Sequence, residues 1–430
     1  MRAMKDSGVP WLKEIPVNWK VERGKNVLAL QKRPVRDNDE VVTCFRDGEV
    51  ILRSLRRTEG FTMSDKEIGY QGINEGDIVI HGMDGFAGAM GVSKSTGKGS
   101  PVLIVCTPKY DAIPQYIIYY LRALAMTDVF VALATGIRER SCDLRWNKVS
   151  ELEFIMPSSS EQQAIVEFLD RKCAEVDEMI GLQEQIIEEL KAYKQSVITE
   201  AVTKGLNPDV PMKDSGSLWI GEIPTNWNLT RIGDVGEYKK GPFGSAITLD
   251  MFVPKGEHTI KVYEQQNAIK KDWTLGYYYL PVDYFESCLK GFEVLPDDII
   301  VSCAGTIGEV YQLPMDVERG IINQALMRMR INSTINLSYF LYIFDLILKR
   351  EAERSSNGTA IKNIPPFSIF KKILVPLPSL EEQQEIAEYL DVKCTEIDNL
   401  ISIKQSKIDS LKEYKKSIIY EYVTGKREVE

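Results

Sequence analysis

Histidine is almost missing from this chain: His81 and His258 are the only two among 430 residues. A centre built on imidazole, whether a metal site or a general base, has almost nothing to draw on. The seven cysteines (Cys44, Cys106, Cys142, Cys173, Cys288, Cys303 and Cys394) are odd in number and form no C-x-x-C pair. That pattern argues against a disulfide framework and a zinc knuckle. No apolar run reaches 18 residues, and the start MRAMKDSG has no apolar signal core, so no membrane is expected and the expected location is cytoplasmic. A surplus of positive charge is missing as well, since the net charge is −9. Taken whole, that counts against nucleic acid, whose binding rests on Lys and Arg neutralising phosphates.

The negative charge is unevenly spread, however. Segments 159–204 and 379–430 carry −5 and −4, whereas 28–158 and 236–378 carry −1 and 0. Local basic patches fit within the near-neutral regions. At 430 residues, with 44% hydrophobic and 27% charged residues, the chain is globular and too long for one core.

What is present is duplication. MKDSGVPWLKEIPVNWKVERGKNV from Met4 aligns without gaps to MKDSGSLWIGEIPTNWNLTRIGDV from Met212, with 13 of 24 positions identical. A second repeat starts with PSSSEQQAIVEFLDRKC at Pro157 and PSLEEQQEIAEYLDVKC at Pro378, at a constant offset of 221. Each block has a Pro-Ser stop, a Glu-Gln-Gln first turn that complements the helix dipole, and then more than 40 residues without proline. Ser158, Ser159, Ser160 or Ser379 can supply the caps, and two long helices are expected.

Their apolar positions follow a heptad through Leu169, Cys173, Val176, Ile180, Ile187, Leu190, Val197 and Ala201, repeated as Leu390, Cys394, Ile397, Ile401, Ile408, Leu411, Ile418 and Tyr422. The polar interruptions match too: Gln183 and Lys194 in the first copy, Lys404 and Lys415 in the second. Such interruptions can fix register in a coiled coil or serve a partner's surface. Residues 161–180 carry −4 and 381–400 carry −6, whereas 404–423 carry +2. Electrostatics therefore favours antiparallel pairing. Each leading segment is then expected beside the end of the other copy's helix. At about 1.5 Å per residue such helices span roughly 60 Å, against about 34 to 36 Å per turn of duplex DNA. They could therefore hold two globular domains apart by one to two turns.

Between the repeats lie two bodies with matching frames and divergent contents. Each has a strand-like run (EGDIVIHG at 75–82, PDDIIVSC at 296–303), a Gly-rich loop (GFAGAMGVS from Gly85, AGTIGEVY from Ala304) and an aromatic helix (PQYIIYYLRALA at 114–125, LSYFLYIFDLIL at 337–348). A glycine-polar stretch and a strand into the Pro-Ser stop follow. The fold class is α/β: two mixed α/β recognition domains separated by two long antiparallel coiled-coil helices, in an internal pseudo-two-fold repeat. The expected segments are a first domain at 1–158, a central helix at 159–204, a second domain at 205–378 and a distal helix at 379–430.

The order and duplication of these motifs, with KKGPFGSAI at 239–247, GTIG at 305–308 and GKGSP at 97–101, resemble the specificity subunit of type I restriction-modification systems over the whole chain. The resemblance implies a non-catalytic subunit that selects a bipartite double-stranded DNA sequence, one part per target recognition domain. It also implies recruitment of two methyltransferase (modification) subunits, which would supply S-adenosylmethionine-dependent adenine DNA methylation. Motor-nuclease (restriction) subunits would add ATP, Mg and cleavage. No cofactor is expected on this chain.

The sequence offers no chemistry of its own to set against that. NIPPF at 363–367 approaches the Asn-Pro-Pro-Phe motif of amino-methyltransferases, but Ile364 intrudes before the prolines. STGKGS at 95–100 mimics a phosphate loop, yet Gly91 and Gly97 are separated by five residues and Gly99 replaces the magnesium-binding Ser or Thr. A coiled-coil scaffold with protein-binding α/β heads remains the alternative, and a stand-alone methyltransferase is a third.

Candidate DNA contacts in body one are Arg53, Arg56, Arg57, Lys98, Arg138 and Arg140. In body two they are Lys239, Lys240, Ser245, Lys270, Lys271, Thr306, Asn357, Thr359 and Lys362. Guanidinium groups take guanine bidentately or clamp phosphates, and sequence does not separate these roles. Trp11, Trp19, Trp219 and Trp227 read foremost as packing anchors. With Gln183, Lys194, Lys404 and Lys415 they are also candidates for two equivalent partner-docking surfaces.

Overall fold

The computed structural model describes residues 2–56, 68–132, 144–354 and 367–429. The chain divides into two units: residues 1–186 with 403–430, and residues 187–402.

In the first unit a four-stranded antiparallel sheet runs in the order Leu28–Leu30, Leu103–Pro108, Ile78–His81, Met90–Val92. Valine and isoleucine dominate the central strand Ile78–His81, as suits a strand covered on both faces. The apolar helix Pro114–Met126 covers the sheet, with proline in its first turn where a missing N–H costs nothing. In the second unit the same order recurs as Gly236–Lys240, Leu326–Ile331, Ile299–Ser302, Val310–Gln312. Its covering helix is Leu337–Arg354. This unit adds a further four-stranded sheet built on Thr259–Tyr263 and Gly320–Ile322. That addition is one reason the two bodies align poorly in sequence.

The long helices are Ser159–Lys204 and Leu380–Val423. Ser158 and Ser379 cap them, accepting from the Glu161 and Glu382 amides at 3.3 and 3.2 Å. Every heptad position is buried or half-buried. In the first unit Ile165, Leu169 and Cys173 share a core with Ile418, Ile419, Tyr422 and Val423, and Lys415 Nζ meets Asp177 at 2.6 Å. In the second, Val197, Ile198, Ala201 and Val202 share a core with Ile386, Ala387, Leu390 and Cys394, and Lys194 Nζ meets Asp398 at 2.6 Å.

The leading segments lie where the chain pairing places them. Trp19 is fully buried in the core that holds the end of the second long helix, and a Cβ on Gly425 would meet the Trp19 ring at 3.1 Å. Trp227 is likewise buried against Val197, Ile198, Ala201 and Val202, and a Cβ on Gly205 would meet its ring at 3.1 Å. Both glycines have positive φ, +72° and +76°, ending their helices in the left-handed conformation.

Candidate nucleic-acid interface

Antiparallel order brings alternate loops to one end of each sheet. In the first unit the chain leaves Leu30 into Gln31, Lys32 and Arg33, and leaves His81 into loop 82–89. It enters Leu103 from Ser100, Pro101 and Val102. These segments line a cleft of about 950 Å³ with Tyr70, Leu144 and Trp146. Its wall is apolar through Leu30, Val102 and Leu103, and cations stand at its rim: exposed Lys32, exposed Arg145, and Arg33 held bidentately by the buried Asp77.

In the second unit the corresponding end gathers loop 241–246, loop 303–309 and residues 323–325. Lys240 pairs with Met327, and Ser302 pairs with Leu326. Gly241 is obligatory here, because a Cβ would fall 1.8 Å from the Asn323 carbonyl oxygen. Gln265 Nε2 donates to the Thr306 carbonyl at 3.3 Å, which ties the short helix Gln265–Lys270 to this end. Lys240, Ser245 and Thr306 are thus brought together, all exposed, with Lys270 and Lys271 on the attached helix end. Lys239 points its ammonium at the Phe292 ring, 4.8 Å from the centroid.

The arginines of the first unit are more occupied than their sequence implies. Arg53 donates from Nε to Thr43 Oγ1 at 3.2 Å. Arg56 donates to Asp47 at 3.1 Å and Glu49 at 2.9 Å, and lies 4.2 Å from the Phe45 ring centroid. The hydrogen bond from Arg56 holds the Asp47 carboxyl below its ordinary range. A phosphate would therefore compete with two carboxylates for Arg56. Lys98 is half-buried in the strand Gly97–Gly99. Arg57, Arg138, Arg140, Asn357, Thr359 and Lys362 lie outside the described residues.

The partner candidates divide. Trp19 and Trp227 have no exposed surface, so they are packing anchors and offer no direct contact. Trp11 and Trp219 are partly buried against the two cores. Lys194 and Lys415 are each paired with an aspartate of the other long helix, Asp398 and Asp177. Gln183 and Lys404 are half-buried in the seam.

The first glutamine of each Glu-Gln-Gln turn has a task that its sequence did not reveal. Gln162, 3% exposed, accepts from the Ile113 amide at 2.9 Å and donates to the Pro157 carbonyl at 3.0 Å. Gln383, 1% exposed, does the same with Asn336 at 2.7 Å and Pro378 at 3.0 Å. The Glu-Gln-Gln motif is thus a bracket fastening each long helix to the start of the covering helix beside it. Among the described residues no group of His, Cys, Asp and Glu is arranged to hold a metal ion, and no helix is long and apolar enough to cross a membrane.

Two α/β domains of one topology, each bracketed to a long helix, define a duplicated α/β protein. Residues 224–413 match the family model for the type I restriction modification DNA specificity domain. The chain is thus similar to the type I restriction-modification specificity subunits. It is similar to the MjaVIII specificity subunit of a type I restriction enzyme from Methanocaldococcus jannaschii, with 24% identity across 96% of this chain and 93% of that one. Its fold is similar to a solved chain from work on complex assembly and conformational transition of the type I R-M system, with a TM-score of 0.70, 16% identity, and coverage of 96% of this chain and 99% of that chain. The HsdS subunit from Thermoanaerobacter tengcongensis gives a TM-score of 0.52 at 16% identity, over 96% of this chain and 98% of that chain.

Proposed function

We propose that the chain selects a bipartite DNA sequence for a type I restriction-modification complex, with one recognition domain reading each half-site. It does so without catalysis of its own. Methyl transfer from S-adenosylmethionine, and any ATP- and Mg-dependent cleavage, belong to partner subunits in the cytoplasm. In functional terms the segments are two recognition domains, 1–158 and 205–378, and two helices, 159–204 and 379–430, that pair antiparallel as a pseudo-two-fold coiled coil. The matched ion pairs Lys415–Asp177 and Lys194–Asp398, one in each unit, support that direction, since each joins the front of one helix to the back of the other. The helix length then sets the spacer between half-sites.

The observation that carries the reading is the recurrence of one sheet order, one covering helix and one glutamine bracket in two units whose end loops differ in sequence. A preserved frame with changed loops suits one task performed on two targets. Two methyltransferase subunits would dock on equivalent faces, and exposed groups at matching helix positions support this. Met179 and Tyr414 are exposed in the first unit, as are Leu400 and Tyr193 at the matching positions in the second. Apolar and aromatic groups of this kind anchor interfaces. In the test, randomised duplexes are offered to the complex reconstituted with its methyltransferase partners. A split recognition sequence is expected among the bound fraction, and absence of any enriched sequence overturns the proposal in favour of a scaffold with protein-binding heads.

A further inference from the structure

The offset of 208 that relates the two leading segments continues into the first strand of each sheet. It matches Leu28 with Gly236, Lys32 with Lys240 and Pro34 with Pro242. Both lysines stand where that strand runs out at the loop-bearing end, both are exposed, and neither is in an ion pair among the described residues. They differ in this from Arg56 and Arg33, which carboxylates already hold.

Beside Lys240 the loop presents Phe243 with 89% of its surface exposed. The loop is anchored on both sides. Gly241 sits against the Asn323 carbonyl, Pro242 is buried, the Ala246 amide donates to the Phe243 carbonyl at 2.8 Å, and Ile247 is buried. A phenylalanine held in water on a fixed turn gains nothing for its own fold, because the apolar area is not removed from solvent. The same sheet end carries Ser245, Thr306, Gln265 and Gln324, the hydroxyl and amide types that read base edges. Cations outside and an apolar ring among hydrogen-bonding groups complement a duplex: phosphates at the edge, and a thymine methyl or an opened base step within.

We infer that this end of each sheet faces DNA, with Lys32 and Lys240 as matched phosphate anchors and Phe243 as a specificity-determining contact in the half-site of the second domain. The inference rests on the DNA-selecting role proposed above.

The test uses the reconstituted complex, its enriched duplex and a salt titration. Lys32→Ala and Lys240→Ala should each lower the slope of log affinity against log salt by about 0.9 and leave the selected sequence unchanged. Phe243→Ala should weaken the enriched duplex about tenfold, equivalent to about 1.4 kcal/mol, and relax selection in one half-site only. Met315→Ala removes a side chain 73% exposed that follows the strand Val310–Gln312 at the opposite end of the sheet, and should change neither. Thermal melting checks that each variant is folded. Should the wild-type complex select no sequence, the role itself fails. Selection by the wild type with Lys32, Lys240 and Phe243 variants indistinguishable from it overturns the inference alone.

Discussion

Gln162 and Gln383 show how much a single amide can hold at the residue scale. Each satisfies a backbone N–H at the start of a covering helix and a carbonyl just before a long helix. Truncating one leaves both partners unpaired, which costs about 1 to 3 kcal/mol for a group that is buried, as the bond to the Pro157 or Pro378 carbonyl is. Gln162→Ala is therefore expected to lower the denaturation midpoint clearly, whereas Gln163→Ala at the exposed neighbouring position should shift stability by less than about 0.5 kcal/mol. Chemical denaturation measures both. His81 supplies a pH prediction. Burial pushes its pKa below the ordinary value, and its Nδ1 accepts the Asp84 amide at 2.9 Å, a bond only the neutral ring makes. The fold favours the uncharged form, so this contribution is fully present above the unfolded value of about 6.5 and is lost as pH falls below it. Melting between about pH 8 and pH 5 should show the first unit weakening, with a flatter profile for His81→Gln. A profile unchanged by the substitution refutes the assignment.

At the element scale, the seams of the long helices contain lysines where a coiled coil prefers aliphatic groups. Lys194 and Lys415 are half-buried, and each finds its aspartate across the seam within its own unit. Because the aspartates are 58% exposed, solvent screening keeps the pairs weak, and a double-mutant cycle on Lys415 and Asp177 should give a coupling of about 0.2 to 1 kcal/mol. Their larger effect is on alternatives, since a shifted register would leave a seam lysine against apolar groups. Lys415→Asp with Asp177→Lys should recover stability that either single reversal loses. Failure of the double reversal to recover any would remove the register role.

The whole molecule is governed by repetition with divergence. If the helices measure the gap between half-sites, deleting one heptad from each shortens them by about 10 Å, close to three base pairs of duplex. Methylation mapping should then show a shortened spacer with both half-sites unchanged; an unchanged spacer contradicts a measuring role. In the same way, exchanging one body for a different recognition domain should rewrite one half-site only.

Both repeats, the long helices with their serine caps, the heptad seam and the pairing of each leading segment with the other copy's helix were legible in the sequence. Each rests on local periodicity or on internal alignment, and the partner of each pattern is carried by the same chain. The roles of individual polar residues were not legible. That Lys415 and Lys194 face Asp177 and Asp398 across the seam could not be read from the interruptions themselves. Arg56 read as an available cation until Asp47 and Glu49 closed on it. Nor did the sequence reveal that Lys240, Ser245 and Thr306 share one sheet end. A polar side chain's task is set by what stands within about 3 Å of it, and for these residues that neighbour lies tens or hundreds of positions away, where only strand pairing and helix packing bring it close.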